Sequence, residues 1–396
     1  MPGMPDEAVA AAMAALRGTL RPGGLSVRAT EKWSHNQRCT TNNVMFAAHV
    51  DGDVLLARTE MALDFGLSPF AIQRGNRVEQ IGRANDYAVT IDLLRRNFGF
   101  GIDEVVSLDL RHGFQKNEAG LRARARRTRH AIEANIAGRP DAPNIIDGAV
   151  LERRIGGRTA YFEADGVGAK AGPVFHVNEF KGWPVIDGRA EDAGKLGATK
   201  MQMGIYRHLL GDLIDALGGS LETISPMGLL VTPRNVGLTL VGSPIDLVSA
   251  TRVAETTLRN LPDPAEFAGA LPAGLDFGQV ADTDAAVPAR LEALDRIVDG
   301  LGTRYQDSCM TSCGLAKFCR ARAHVRSDPA VAGMTTTRSL PGVHTLRRAA
   351  DLAAGAPANE SERSIGVSAA LASAGELYRM KTTFPAPAAV RGVPPA

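Results

Sequence analysis

The run PVFHVNEFK, residues 173–181, is apolar enough to be a buried strand, yet it carries Glu179 and Lys181 two positions apart. Side chains on a strand alternate between faces, so these opposite charges share one face and His176 falls on the other, as a structural histidine. Asp165 closes an earlier apolar run, RTAYFEAD, which follows the Gly156-Gly157 turn. Beyond a loop from Gly182 to Gly197, Gln202 and Tyr206 stand four apart in a helical pattern with Ile205, Leu209 and Leu210, which puts them on one helix face. Two carboxylates and an ammonium on adjacent strands are the groups that phosphodiester chemistry needs. The carboxylates hold a hard divalent cation against phosphate oxygens, and the lysine orients an attacking water and offsets developing charge. An acid-x-Lys strand alone is common on half-buried sheets; the flanking aspartate and helix give this one its meaning.

The 396 residues leave room for two or three domains, and 44% hydrophobic with 22% charged residues describe an ordinary soluble chain. With a formal net charge of +2, any nucleic-acid surface must be local. Apolar runs fall short of the ~18–20 residues a membrane span requires. The N-terminal MPGMPDEAVA is acidic where a signal peptide would be basic, so the protein is expected in the cytoplasm, away from membranes. Four cysteines do not make a secreted disulfide framework, and their uneven placement points to a cofactor.

Residues 5–18 predict an Ala-rich packing helix capped by Asp6 and stopped near Gly18. Cys39 then sits in a polar loop, followed by two short strand-like runs around an Asp51-Gly52 hairpin signal. Ser68-Pro69 opens a helix in which Gly75 precedes Glu79 by four, the glycine allowing close packing and the carboxylate supplying a third acid to the site. From Asp86 to Asn135 the pattern is helical with a break at Gly99 to Gly101. Within it, LRARARRTRH concentrates Arg122, Arg124, Arg126, Arg127 and Arg129, either a phosphate-binding face or a solvated one paired with Glu118 and Glu133. Strand-like runs follow over 147–181, then the helix from Gln202 and a hairpin, MGLLVTPRNVGLTLVG. A largely helical stretch from Asp246 leads to DSCMTSCGLAKFCRAR, where Cys309, Cys313 and Cys319 are followed by Arg320 and Arg322. The remainder is rich in Ala and Pro, with one helix near Leu346 to Ala353 and a disordered end.

With these residues in place, the chain resembles the RecB-like branch of the PD-(D/E)XK nucleases, and within it the iron–sulfur exonucleases of the AddB and CRISPR-adaptation type, over roughly residues 36–322. That family orders a Gly-x-x-x-His or Gly-x-x-x-Glu helix, a strand aspartate, an acid-x-Lys strand and a Gln-x-x-x-Tyr helix. The matching positions are Gly75 to Glu79, Asp165, Glu179-Phe180-Lys181 and Gln202 to Tyr206. One cysteine before this core and three after it hold a four-iron, four-sulfur cluster in the family, and Cys39, Cys309, Cys313 and Cys319 occupy those places. Two departures stand out: three residues separate Cys309 from Cys313 where the family has two, and Glu79 stands where many relatives carry histidine.

The resemblance implies an α/β (α+β) fold, a mixed central sheet flanked by helices in a restriction-endonuclease-like core, with a helical iron–sulfur clamp. It divides the chain into an N-terminal segment (1–63), a nuclease core (64–245), a helical segment with the cysteine motif (246–325) and a tail (326–396). It further implies a DNA exonuclease of repair or phage defence in which Glu79, Asp165 and Glu179 bind Mg²⁺ or Mn²⁺, Lys181 places the water, and Gln202 and Tyr206 brace the acids. Single-stranded DNA or duplex ends are the expected substrate, with basic residues such as Arg122, Arg124, Arg126, Arg127, Arg320 and Arg322 near the strand. A helicase or a defence or repair complex is the expected partner.

Alternatives stay open on the residues alone. His130 and Glu133 are rivals for the helix acid, His35 for a cysteine, and zinc for the cluster, although zinc favours paired Cys knuckles over one isolated upstream ligand. A DNA-binding scaffold that cuts weakly is the competing function. A tRNA- or nucleotide-modifying enzyme lacks a glycine-rich phosphate loop, GVGAK being too short.

Overall fold

A computed structural model describes residues 4–63, 68–99, 101, 104–169, 174–186, 189–190, 193–235 and 237–383. Helices come first: α1 (Asp6–Arg17), α2 (Val27–Ser34), α3 (Thr40–Ala47), α4 (Gly52–Leu55) and α5 (Pro69–Phe98). Strand β1 (Ser107–Asp109), helix α6 (Glu118–Ile136) and strands β2 (Ile145–Asp147), β3 (Val150–Ile155), β4 (Arg158–Glu163), β5 (Gly166–Ala169) and β6 (Phe175–Phe180) follow. After the small hairpin β7 (Val185–Ile186) and β8 (Arg189–Ala190) come α7 (Ala193–Ala216), β9 (Met227–Pro233) and β10 (Leu240–Asp246).

The central sheet is mixed, in the order β1-β2-β5-β6-β9-β10. β2, β5 and β6 run as an antiparallel meander, and α7 then crosses over so that β9 pairs parallel with β6. The register pairs Asp147 with Gly166 and Gly166 with Asn178. Asp147 therefore shares a row with Gly166 and Asn178, and Asp165 and Glu179 stand opposite each other one row further along, with side chains of the other parity.

Strand parity divides β6 between two cores. Phe175 and Val177 face Met203, Ile205 and Leu209 of α7, whereas Phe180 meets Val78 and Leu94 of α5 with Leu229 and Val231 of β9. Every residue of β6 is buried, as a central strand covered on both faces requires. His176, on the α5 face, stacks on Phe98 with ring centroids 4.3 Å apart, the structural role its parity implied.

α5 is two helices joined at a kink. Asn85, Asp86 and Tyr87 have φ of 53°, 52° and 62°, a left-handed turn that Asn and Asp tolerate better than Tyr. Thr90 Oγ1 donates to the carbonyl of Gly82 at 2.7 Å, restoring a partner that the kink removes. The kink passes close to β6, because a Cβ at Gly82 would lie 2.3 Å from the Phe180 ring.

A second body is helical and drawn from both sides of the sheet in sequence. α8 (Val248–Arg259) still packs on α7, Gly204 allowing the approach. The rest, α9 (Pro264–Ala268), α10 (Phe277–Ala281), α11 (Val287–Leu301), α12 (Cys309–Ser312) and α13 (Ala316–Val325), returns to the N-terminal helices. Val9, Met13, Val44, Met45 and Leu55 share one core with Phe277, Leu294, Ile297, Val298 and Phe318. Arg290 is 1% exposed and is satisfied by backbone carbonyls alone: Nε donates to Val280 at 2.8 Å, and Nη2 to Leu55 and Ala57 at 3.0 Å each. A buried guanidinium without a carboxylate thus ties the C-terminal end of α4 to α10 and α11.

Several sequence expectations change. The run expected as strands around Asp51-Gly52 is helical, in α3 and α4, because a short apolar run fits a buried helix as well as a strand. Asp51 makes no hairpin turn; its carboxylate caps α4 by accepting from Asp53 N at 3.0 Å. α1 is preceded by Pro5 with no side-chain cap, and Asp6 is its first residue. GVGA, set aside as too short for a phosphate loop, is the buried strand β5. The tail is more helical than composition implied, with α14 (Met334–Ser339), α15 (Leu346–Ala353), α16 (Glu360–Ser364) and α17 (Val367–Thr383) around a small core of Leu340, Val343, Leu352 and Val367. The expected disordered end, residues 385–396, lies outside the described residues. No helix among the described residues is long and apolar enough to cross a membrane.

Gly75 is not the close-packing glycine its spacing predicted, since a Cβ there meets nothing within 4 Å. The tight positions are Gly182, whose Cβ would lie 2.9 Å from the Gly75 amide nitrogen, and Gly204, whose Cβ would lie 2.7 Å from the Ala250 carbonyl. Backbone cannot give way as a side-chain tip can. Gly204→Ala is therefore expected to destabilise by about 1–3 kcal/mol, the range for overpacking. Gly75→Ala should be neutral or stabilising by up to ~1 kcal/mol through helix propensity. Thermal unfolding of the two variants checks both signs.

Candidate active site and cysteine centre

Asp165 and Glu179 stand on neighbouring strands with Lys181 beside them, and their neighbours define the site. Asp165 Oδ2 accepts from the backbone N–H of Phe180 at 3.0 Å, which locks the Asp165 turn onto β6. Glu179 is 1% exposed; Oε1 accepts from Lys181 Nζ at 2.7 Å, while Oε2 is buried with no hydrogen-bond partner. Lys181 Nζ donates also to Gln202 Oε1 at 3.0 Å, Gln202 Nε2 donates to Tyr206 OH at 3.0 Å, and Tyr206 OH donates to the Glu163 carbonyl at 2.5 Å. Each link has one polarity. The phenol must donate to a carbonyl, so its oxygen receives the amide, and the amide oxygen is left for the ammonium.

Electrostatics follow from this packing. Burial, then the neighbouring Asp165 carboxylate, push the Glu179 carboxyl up to about 8, against the opposing pull of Lys181. Burial alone would depress Lys181, but the Glu179 and Asp165 carboxylates outweigh it and hold the ammonium above its usual range. Tyr206 is held well above the usual phenol range by burial and then by the charge of Glu179, so it remains a donor.

Four residues of this site were not selected from the sequence. Asp147, at the end of β2, is 2% exposed; Oδ1 accepts from Arg111 Nε at 2.8 Å and Oδ2 from Tyr87 OH at 3.1 Å, with Arg83 Nε 2.7 Å from Oδ2. Arg111 extends from Asp147 to Asp165 Oδ1 at 3.1 Å and comes within 3.7 Å of Glu79. Asp147 closes the short apolar run Ile145-Ile146 as Asp165 closes its own, and that shared signature was the available signal. Nothing in the local pattern marks Arg83, Tyr87 or Arg111.

Glu79 reaches the same neighbourhood, but its carboxylate is turned to Arg83 Nη2 at 2.6 Å. Among the described residues no three His, Cys, Asp or Glu side chains stand close enough to share one ion. The divalent-ion fit therefore rests on Asp165 and Glu179: two facing carboxylates, one with a buried oxygen lacking any donor, present a vacancy that a proton or a cation satisfies.

The rival acids fall elsewhere. His130 and Glu133 are exposed on α6 and pair with each other at 3.4 Å. On that helix Arg122 pairs with Glu118 at 3.2 Å and Arg124 with Glu163 at 2.6 Å, while Arg126, Arg127 and Arg129 are exposed. Arg322 is held by Asp295 and Asp299, and Arg320 is exposed.

The four cysteines, distant in sequence, are brought to one cavity, although no three of them among the described residues are grouped as closely as one shared ion requires. Cys39, Cys309, Cys313 and Cys319 line one cavity of ≈ 20 Å³ between α3, α12 and α13. Asn36 bridges its two banks, donating from Nδ2 to the Arg304 carbonyl at 2.7 Å and to Cys309 Sγ at 3.1 Å. Burial, and then the other sulfurs, push Cys313 up to about 12 and Cys319 higher still. Burial holds Cys309, Cys313 and Cys319 up as thiols, and with Cys39 they are the residues that could hold a cationic centre here. Metal–sulfur bonds near ~2.3 Å are far shorter than non-bonded contacts, so a cavity this small does not exclude a bonded group. His35 is turned away and stands 3.9 Å from Glu31.

No protein-family model matches the chain, and no curated protein matches it. A solved chain described as "Crystal structure of SSO0001" is similar over 50% of this chain and 88% of its own length, at 15% identity and a TM-score of 0.16, a likeness too slight to bear on fold or function.

The raised Glu179 carboxyl makes a signed prediction. An unperturbed glutamate titrates near 4.5, so the stability that a neutral Glu179 contributes is complete below that value and is lost as pH rises through about 8. In chelator, the melting temperature should fall between pH 5 and 9, and Glu179→Gln should flatten that fall. An unchanged slope in Glu179→Gln would assign the titration to another group.

Proposed function

We propose that the protein is a divalent-metal-dependent deoxyribonuclease of the PD-(D/E)XK type, an exonuclease of the RecB-like branch. Its four cysteines hold a structural four-iron, four-sulfur cluster. The observation that carries the reading is the polarised chain from Glu179 through Lys181, Gln202 and Tyr206 to the Glu163 carbonyl, set beside Asp165. The meander of β2, β5 and β6 followed by the α7 crossover to parallel β9 supports a restriction-endonuclease-like core.

Asp165 and Glu179 are the residues that would hold Mg²⁺ or Mn²⁺. The ion would supply Lewis-acid activation of the phosphate and a lowered pKa for bound water. The protein's own groups do the rest. Lys181 remains an ammonium and therefore acts as an oriented charge and donor, not as a base. Gln202 and Tyr206 fix where that charge points. Arg111, half-buried between Asp147 and Asp165, is the guanidinium nearest to where a phosphate would meet the acids. Cys39, Cys309, Cys313 and Cys319 would ligate the cluster, joining the N-terminal helices to α12 and α13.

One observation favours a second reading, a DNA-binding scaffold with weak cutting. Arg83 and Arg111 already pair with Glu79 and Asp147, and Arg111 also with Asp165, so the acids carry built-in cations.

End-labelled single- and double-stranded DNA incubated with anaerobically purified protein, in Mn²⁺, Mg²⁺ or chelator, separates the two. Metal-dependent loss of label that drops at least ~100-fold in Lys181→Ala, the scale of one lost electrostatic donor, supports the nuclease. Equal inertness of wild type and variant with retained DNA binding supports the scaffold. Cys313→Ser should lose iron and visible absorbance. Zinc in place of iron, with no absorbance, would replace the cluster by a structural zinc.

A further inference from the structure

Beside the acid cluster lies a groove of ≈ 630 Å³, with Arg111 at one end. Arg111 belongs to both places, since its guanidinium bonds Asp147 and Asp165 while it also lines the groove. From there the lining runs through Phe114 and Lys116 to Arg124, Arg158 and Tyr161. Two carboxylates also line it, and both are engaged: Glu163 by Arg124 at 2.6 Å, Glu118 by Arg122 at 3.2 Å. Lys116 and Arg158 are exposed and have no ion pair among the described residues. The uncommitted charge of the groove is therefore positive. The arginine-rich face of α6 singled out in the sequence contributes only Arg124, already paired.

The far wall is the strap of residues 22–25, pinned where Gly23 N donates to the His49 carbonyl at 2.7 Å. Beyond it a second cavity of ≈ 400 Å³ reaches Ser312, Cys313 and Gly314, but there Arg28 and Lys32 are matched by Asp51 and Asp53, so it offers no surplus charge. Burial first, and then Arg158 and Arg17, hold His49 down to about 4.

We propose that this groove binds the sugar–phosphate backbone of a single DNA strand, with Lys116 and Arg158 on successive phosphates, Phe114 stacking a base, and the strand leading to the acids past Arg111. A half-exposed aromatic beside unpaired cations grips an unstacked strand, whose bases are free to stack, and suits a duplex poorly. The inference rests on the nuclease reading for its direction toward the acids. The contacts themselves belong to the groove.

The test measures binding of a fluorescein-labelled oligothymidylate to the full chain in chelator, across a salt titration, so that cutting does not enter. Lys116→Ala/Arg158→Ala should weaken binding about ten-fold or more and make the salt slope shallower by about 1.4, ~0.7 for each lost phosphate contact. Phe114→Ala should weaken binding about ten-fold with the slope unchanged. Unchanged melting temperatures, expected for exposed Lys116 and Arg158, exclude misfolding. Equal affinity and slope in the double variant overturn the proposal, as does an absence of strand binding in wild type, or tighter binding of a duplex of equal length. If metal-dependent cleavage persists while the double variant binds normally, the groove fails and the nuclease stands. If no metal supports cleavage yet the double variant loses the strand, the groove stands and the nuclease fails.

Discussion

Glu179 places an ionisable carboxyl in a strand whose every residue is buried, and the site is arranged around the cost of that burial. A lone carboxylate there would be strongly disfavoured, and Asp165 beside it makes ionisation harder still. Lys181 supplies a single compensating charge on the one oxygen it reaches. The other oxygen has nothing. Much else follows from holding that arrangement still: the Asp165 turn is bonded to the strand amide, Lys181 is fixed by Gln202, and Gln202 is fixed by a tyrosine anchored on backbone.

The opposite sheet face solves a similar problem differently. Asp147 is as buried as Glu179 but accepts from Arg111 and Tyr87 and has the Arg83 guanidinium 2.7 Å away as an ion pair, so its charge is met by neighbours. The kink in α5 makes this possible, since Tyr87 donates from a left-handed backbone position. A strained turn is stable where packing and hydrogen bonds over-determine it, and here Thr90, Asp147 and the close passage of Gly82 past Phe180 do so. Glu179 has one donor and Asp147 several, and Arg111 runs from Asp147 to Asp165, the carboxylate beside Glu179.

The legible part of the sequence was the part governed by short-range periodicity. Period two placed Glu179 and Lys181 together and His176 opposite; period 3.6 placed Gln202 and Tyr206 on one face. Ser68-Pro69 opened α5, its hydroxyl accepting from Ala71 N at 3.1 Å, and the two glycines at 156 and 157 made the β3–β4 turn with positive φ at both. What escaped was decided by tertiary contacts. Arg111 and Arg83 gain their role from strands and helices remote in sequence, and Gly82 and Gly204 gain theirs from an incoming ring and an incoming backbone. The strand-like reading of residues around Asp51 failed because short apolar runs carry no period of their own. The arginine run on α6 is the conspicuous charge feature, yet two of its members are spent on carboxylates, while Lys116 and Arg158, without an ion pair among the described residues, stand outside any such run.

The helical body has a consequence for how the chain is made. Its core joins residues near Val9 and Leu55 to residues near Phe277 and Phe318, and Arg290 needs the carbonyls of Leu55 and Ala57. During synthesis the first helices emerge some two hundred residues before their partners, with apolar faces uncovered, while the sheet core in between has all it needs to fold. The sheet then shortens the gap its two flanks must span. Cys39 waits for its three counterparts until the segment 309–319 arrives, so whatever centre the thiols hold is assembled late, on a scaffold whose central sheet is already in place.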